Sequence, residues 1–341
     1  MDSQVFILNE KRNVTLTAYL QDDSQEFWRA KKRPAVVIFP GGAYAYCSDR
    51  EADPVAQEYL RAGYHTFVLR YSVGWENAVW PNPLEDYDQA MELIAAHAKE
   101  WHLIPEKIAV IGFSAGGHLA ACAATMAKHR PAAAILAYPV ILEGLAAICA
   151  KGAPGADKAV DSQTCPCFIA ATGTDTTVSA MNSLRFVEAL YENGISAELH
   201  LYAFGPHGFS TARTSIADPA ELCSRTLHWV EDTISWLEDV FGAFTSGEMS
   251  SPRCPGRVRK DKDPYLSVDC LLATIAGNQI AVERLNQLIL VEETTQKWIA
   301  EQKENLLTSE MTLRSALQFL NVPGEVIRKA DEILSDIPNR K

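Results

Sequence analysis

The sequence predicts a doubly wound, mostly parallel α/β sheet followed by an all-α C-terminal domain. Two observations carry this reading. Apolar, β-rich runs alternate with helical stretches up to residue 241, the pattern of strands linked by helical crossovers. Beyond a stretch rich in Gly, Ser, Pro and charge, the remaining residues keep a helical period with no strand signal. A chain of 341 residues has room for one large α/β domain and a smaller companion.

The opening segments "VFILN" and "VTLTAYL" read as an antiparallel hairpin on one edge of the sheet. The runs at 35–39 ("AVVIF"), 65–71, 107–113 ("KIAVIGF"), 132–138, 167–173 and 197–204 read as the remaining strands. Most are continuously apolar, as expected of strands covered on both faces. Between them lie helical stretches beginning near Asp53, Pro83, Gly116 and Ser183. Two of these stop at Gly63 and Gly194, where a helix terminus favours glycine. A last helix over 219–241 closes a domain spanning 1–243. Residues 244–264 read as a linker and 265–341 as a bundle of three or four helices. Its apolar stripe includes Leu271, Ile275, Val282, Leu285, Ile289, Leu313, Leu317 and Leu320.

Composition narrows the function. A net charge of −12 argues against nucleic-acid partners and anionic membrane surfaces. No apolar run approaches the ~18 residues of a membrane helix, and "MDSQVFILNEKRN" lacks the basic start of a signal peptide. The eight cysteines are scattered, and "CPC" at 165–167 has no His or Cys set nearby to complete a zinc site. Reduced thiols, a cytoplasmic setting, and no metal or cofactor are the expectations.

"GFSAGG" carries the chemistry. It joins the strand "KIAVIGF" to the helical "AGGHLAACAATMAKH", so Ser114 sits on a tight strand-to-helix turn. Gly112, Gly116 and Gly117 let such a turn close, and the Ala115 N–H at the helix start faces developing negative charge. A serine hydroxyl needs a base, and the base needs an orienting carboxylate. Of the histidines, His207 in "FGPHGFS" lies in a loop directly after the last strand. Asp175 lies in "ATGTDTTV", after the strand before it. Ser114, Asp175 and His207 thus each follow a strand, in the chain order nucleophile, acid, base. His118 reads as structural and Ser210 as a decoy lacking the second glycine. "FPGGAYAY" (39–46) follows the first core strand, and Gly42 or Ala43 is the expected second oxyanion donor. Tyr44, Tyr46 and Tyr138 are candidates to line the mouth and stack on a sugar ring.

From about Phe39 to Phe209 the chain resembles the bacterial acetylxylan-esterase-like α/β-hydrolase esterases. The resemblance rests on "PGGAYAYCSDREADPVAQEYLRAGYHTFVLRYSV", "NPLEDYDQAMELI", "GFSAGGHLAA", "AYPVI", "NSLRFVEAL" and "GPHGFS". It implies triad roles for Ser114, Asp175 and His207, and deacylation of sugars or related small esters. The glycine-rich "HGGG" of lipases stands here as Pro40-Gly41-Gly42-Ala43, and the proline usual after the acid loop's valine is Ser179. Two other readings share these residues: a peptidase or amidase on the same fold, and a non-catalytic binding protein. The resemblance stops short of the C-terminal helices. Their apolar faces need burial, so a homo-oligomer formed through 265–340 is expected, with a lid over the site as the alternative.

Overall fold

The computed structural model describes residues 2–288, 297 and 300–339. The chain forms two units, Met1–Gly256 and Arg257–Lys341. The first is built on an eight-stranded sheet of order β1-β2-β4-β3-β5-β6-β7-β8. Strands β1 (Asp2–Asn9) and β2 (Val14–Leu20) form the expected antiparallel hairpin, and β2 pairs antiparallel with β4 (His65–Arg70). From β4 onward all neighbours are parallel: β3 (Arg33–Phe39), β5 (Leu103–Phe113), β6 (Ala133–Ala137), β7 (Cys167–Thr172) and β8 (Ala197–Tyr202).

The burial of each strand explains its sequence. β3, β6 and β7 are buried at every position, so both faces are apolar, whereas β2 alternates buried and half-buried residues. Within β3, Val37 and Phe39 face one layer and Val36 and Ile38 the other. Helices α2 (Asn82–Ala96), α3 (Ala115–Met126), α4 (Glu143–Cys149) and α5 (Met181–Glu192) cover the first face through Tyr87, Ile94, Leu119, Ala146 and Phe186. Helices α1 (Asp53–Arg61) and α6 (Trp229–Phe241) cover the second through Tyr59, Trp229 and Leu237.

Two expectations need correction. The helix expected over 219–241 begins only at Trp229; before it stand two 3-10 turns, Pro219–Glu221 and Ser224–His228. Asp218 caps the first turn by accepting the Ala220 N–H, and the chain bends between them to bury Leu222, Cys223 and Thr226. The segment read as a linker is also structured. Residues 243–256 lie on the first unit: Arg29 donates to the Phe244 carbonyl, Phe244 stands edge-on to Tyr64, and the Gly256 carbonyl accepts the Ser196 N–H. The division therefore falls after Gly256, and residues 257–264 belong to the second unit, where Asn339 donates to the Asp261 and Asp263 carbonyls.

That second unit holds the helices Leu272–Ala276, Gln279–Leu288, Lys303–Thr308, Leu313–Phe319 and Gly324–Leu334 among the described residues. Ile275, Leu285, Leu313 and Leu317 of the expected stripe join Ile327 and Leu334 in its core; Ile289 lies outside the described residues. Leu272 N–H to Met311 carbonyl and Leu313 N–H to Cys270 carbonyl tie the starts of two helices together. Among the described residues no helix is long and apolar enough to cross a membrane.

The anchoring of 243–256 gives a direct expectation. A chain ended after Gly256 keeps the thermal midpoint of the first unit within a few degrees. One ended after Gly242 melts several degrees lower, because Phe244 and its neighbours are gone. Calorimetry on the two truncations checks this; equal midpoints would mean that the segment adds nothing.

Candidate active site

The site forms where β5 gives way to α3. Ser114 occupies this turn with φ +53° and ψ −114°, a strained conformation for a residue with a side chain. Close approach of backbone forces the neighbouring glycines. A Cβ on Gly116 would stand 2.1 Å from the Phe39 carbonyl oxygen, and one on Gly112 would stand 2.0 Å from that of Gly116. Only hydrogen fits at either position, so the elbow is pressed between β3 and its own helix.

His207 and Asp175 arrive from the ends of β8 and β7. The Ser114 hydroxyl donates to His207 Nε2 at 2.9 Å, and His207 Nδ1–H donates to Asp175 Oδ2 at 2.6 Å. The other Asp175 oxygen accepts the N–H groups of Thr177 and Val178 at 2.8 and 2.9 Å. Burial alone would raise the Asp175 pKa, but the His207 hydrogen bond and these two N–H groups outweigh it, and the carboxyl lies below its ordinary value. The acid is thereby held as the anion that fixes the imidazole tautomer. The Asp175 side chain is almost wholly buried and His207 remains partly open.

Three backbone N–H groups stand near the serine. Ala115 is the first residue of α3, where an N–H has no acceptor within the helix. After β3 the chain turns back on itself, with the Gly42 carbonyl accepting from Ala45 and Tyr46, and Ala43 in the left-handed region at φ +54°. Among the described residues the N–H groups of Gly42 and Ala43 have no hydrogen-bond acceptor within the chain, whereas Gly41 N–H is held by Glu51.

Comparison with known proteins agrees with the α/β fold. Residues 26–140 match the BD-FAE family. The chain is similar to an acetylxylan esterase of Xylanibacter ruminicola, 29% identical over 197 residues, covering 51% of this chain and 41% of that protein. It is also similar to endo-1,4-beta-xylanase B of Butyrivibrio fibrisolvens, 31% identical over 229 residues, covering 58% of this chain and 35% of that one. The chain thus spans well under half the length of these curated relatives. A solved structure is matched almost in full: an alpha/beta hydrolase enzyme from a Medee basin deep-sea metagenome library, 40% identical. The match covers 98% of that protein and 70% of this chain, with a TM-score of 0.64. The chain belongs to the α/β-hydrolase family.

In this α/β hydrolase the three candidate tyrosines have different fates. Tyr46 is exposed. Tyr44 and Tyr138, expected at the mouth, are instead buried and unable to stack on a ligand. The Tyr44 hydroxyl bonds His118 Nδ1, and the Tyr138 hydroxyl bonds Glu51. Both tyrosines have positive φ, +58° and +37°, a conformation uncommon for a residue with a side chain. His118 is structural, as read: it is fully buried and its Nε2–H donates to the Pro154 carbonyl. Ser210 is also internal, donating to the Arg50 carbonyl. Two residues went unread in the sequence. Trp75 is widely exposed on the loop after β4, and the Gly74 N–H beside it donates to the Tyr44 carbonyl, tying that loop to the turn of Gly42 and Ala43. Glu51 looks like an ordinary acidic residue ahead of a helix, yet it is buried.

Buried neutral histidines set the acid limit of stability. Burial pushes both His65 and His118 down to about 4. Each ring donates from Nε2 to a carbonyl and accepts at Nδ1, so a second proton has no acceptor. Below the ordinary imidazole value near 6.5 the unfolded chain binds protons that the folded chain refuses. Stability is therefore whole above that value and lost as pH falls toward 4. Each ring is worth about 3 kcal/mol by pH 4, at about 1.4 kcal/mol per pH unit. Urea midpoints of the first unit, measured from pH 7 to 4.5, should fall steadily; a flat series contradicts the assignment.

Proposed function

We propose that this α/β hydrolase is a serine carboxylic-ester hydrolase that removes small acyl groups, acetyl foremost, from sugars or xylo-oligosaccharides. The observation that carries the reading is the unbroken chain Ser114 Oγ, His207 Nε2, His207 Nδ1, Asp175 Oδ2, with links of 2.9 and 2.6 Å. The similarity to an acetylxylan esterase supports the acyl group and the alcohol.

Ser114 Oγ attacks the ester carbonyl as His207 Nε2 takes its proton, and Asp175 stabilises the resulting imidazolium. The oxyanion lies against the Ala115 N–H and the N–H of Gly42 or Ala43, donors fixed before the charge appears. Collapse expels the alcohol, which takes the proton from His207 and leaves an acyl-serine. Water then attacks with His207 again as base, releasing the acid and restoring the serine. No step calls for a metal or cofactor. Exposed Tyr46 and Trp75 offer apolar aromatic faces to the alcohol half of the ester, and they replace Tyr44 and Tyr138 in the expected sugar-binding role.

Kinetics on an aryl acetate and on acetylated xylo-oligosaccharides test both halves of the reading. Ser114→Ala should lower kcat by about a millionfold and Asp175→Ala by about ten-thousandfold. Tyr46→Ala should raise KM several-fold for the oligosaccharide and leave the aryl acetate unchanged. A Ser114→Ala protein retaining a tenth of the activity sinks the mechanism. Faster turnover of a matched amide than of the ester would move the enzyme to the peptidase class. Equal KM effects on both esters would remove the sugar assignment.

A further inference from the structure

Glu51 is buried on the 3-10 turn Asp49–Glu51 that leads into α1, and no step of the reaction above uses it. Its two oxygens take separate partners. Oε2 accepts the Gly41 N–H at 2.8 Å, and Oε1 accepts the Tyr138 hydroxyl at 2.7 Å. Gly41 immediately precedes the free N–H groups of Gly42 and Ala43. A Cβ built on Gly41 would lie 2.6 Å from Glu51 Oε2 and 3.1 Å from the Ser114 Cβ, so carboxylate, turn and nucleophile meet at one point.

The other arm leads to the base. The Tyr138 ring stands edge-on to the His207 imidazole, with centroids 4.9 Å apart, and also touches Phe209. Its hydroxyl oxygen accepts the Ser210 N–H at 3.0 Å, and Ser210 Oγ donates to the Arg50 carbonyl at 2.6 Å. The circuit thus returns to the residue beside Glu51. A carboxylate only accepts, so it fixes the direction of both bonds. Gly41 N–H must point inward, which leaves the next N–H groups for the substrate. The Tyr138 proton is committed to Glu51, which leaves its lone pair for the His207 loop.

We propose that Glu51 is a positioning residue that holds the oxyanion turn and the catalytic histidine in one register, through Gly41 on one oxygen and Tyr138 on the other. This rests on the serine-esterase reading. It assigns Glu51 to the rate of acyl transfer and not to substrate binding, because neither arm reaches the surface where the alcohol would sit.

The test uses the full chain carrying Glu51→Gln, Tyr138→Phe or both. Glutamine keeps the shape and one acceptor, but its nitrogen can only donate, so one arm is lost or reversed. For Glu51→Gln, kcat on an aryl acetate should fall about 10- to 100-fold, short of what losing an oxyanion donor outright costs. KM should stay within about twofold. Affinity for a boronic acid, which mimics the tetrahedral adduct, should fall in parallel with kcat. Tyr138→Phe should lower kcat by a smaller factor, and the double variant should fall no further than Glu51→Gln, as for two groups in one network. A Glu51→Gln enzyme with more than half the wild-type kcat overturns the proposal, as do losses that multiply in the double variant. Should Glu51→Gln fail to fold, Tyr138→Phe decides, and an unchanged kcat there overturns it. If the wild-type chain hydrolyses no ester, the esterase reading fails by itself. The rate at which an aryl phosphonate labels Ser114 in Glu51→Gln, against wild type, then still decides the role of Glu51: an equal rate overturns it.

Discussion

The site depends on holding Ser114 in a backbone conformation that costs on the order of 1–3 kcal/mol. That strain persists because everything around it is fixed. Ser114 N–H donates to the Ala137 carbonyl, and the Ser114 carbonyl accepts from both His118 and Val140. β6 and the loop after it therefore grip the serine main chain from one side. On the other side Gly116 lies against β3 with room only for hydrogen. Either contact alone would let the turn relax; together they leave the hydroxyl one direction, out of the sheet edge and toward His207.

The parallel sheet does the remaining positioning. Because β3, β5, β7 and β8 run the same way, the segments that follow them emerge on one edge, bringing the turn of Gly41–Ala43, Ser114, Asp175 and His207 together. Charge is then arranged in layers. Asp175 is anionic and enclosed by donors, His207 is partly open, and the free N–H groups of Gly42 and Ala43 lie on the turn that follows β3. Glu51 lies beneath, tying the two loops that the sheet itself leaves independent.

Much of this was legible in the sequence. Continuously apolar runs marked the buried strands, and Ser114, Asp175 and His207 stood out because each follows a strand-forming run. Side-chain direction was not legible. Tyr44 and Tyr138 looked like mouth residues, but their hydroxyls bond His118 and Glu51 in the interior, and no local pattern announces a left-handed tyrosine. Glu51 was hidden for a different reason: one of its partners, Tyr138, lies 87 residues away, so its role exists only after folding. The polar stretch 243–256 read as a linker by composition, yet it is held by backbone carbonyls, Phe244, Met249 and an Arg253–Asp239 pair that composition does not weigh. The pattern over 219–228 suited a helix, but burying Leu222, Cys223 and Thr226 required a bent path.

The central claim is that Ser114 becomes covalently acylated. Rapid acid quench of the full chain during turnover of an aryl acetate, followed by digestion and mass spectrometry of the peptides, tests it most directly. The account predicts one added acetyl group on the peptide carrying Ser114, absent when the substrate is an unreactive ether. Acetyl on Ser210 or another residue, or steady turnover with an unmodified Ser114 at every quench time, would contradict it.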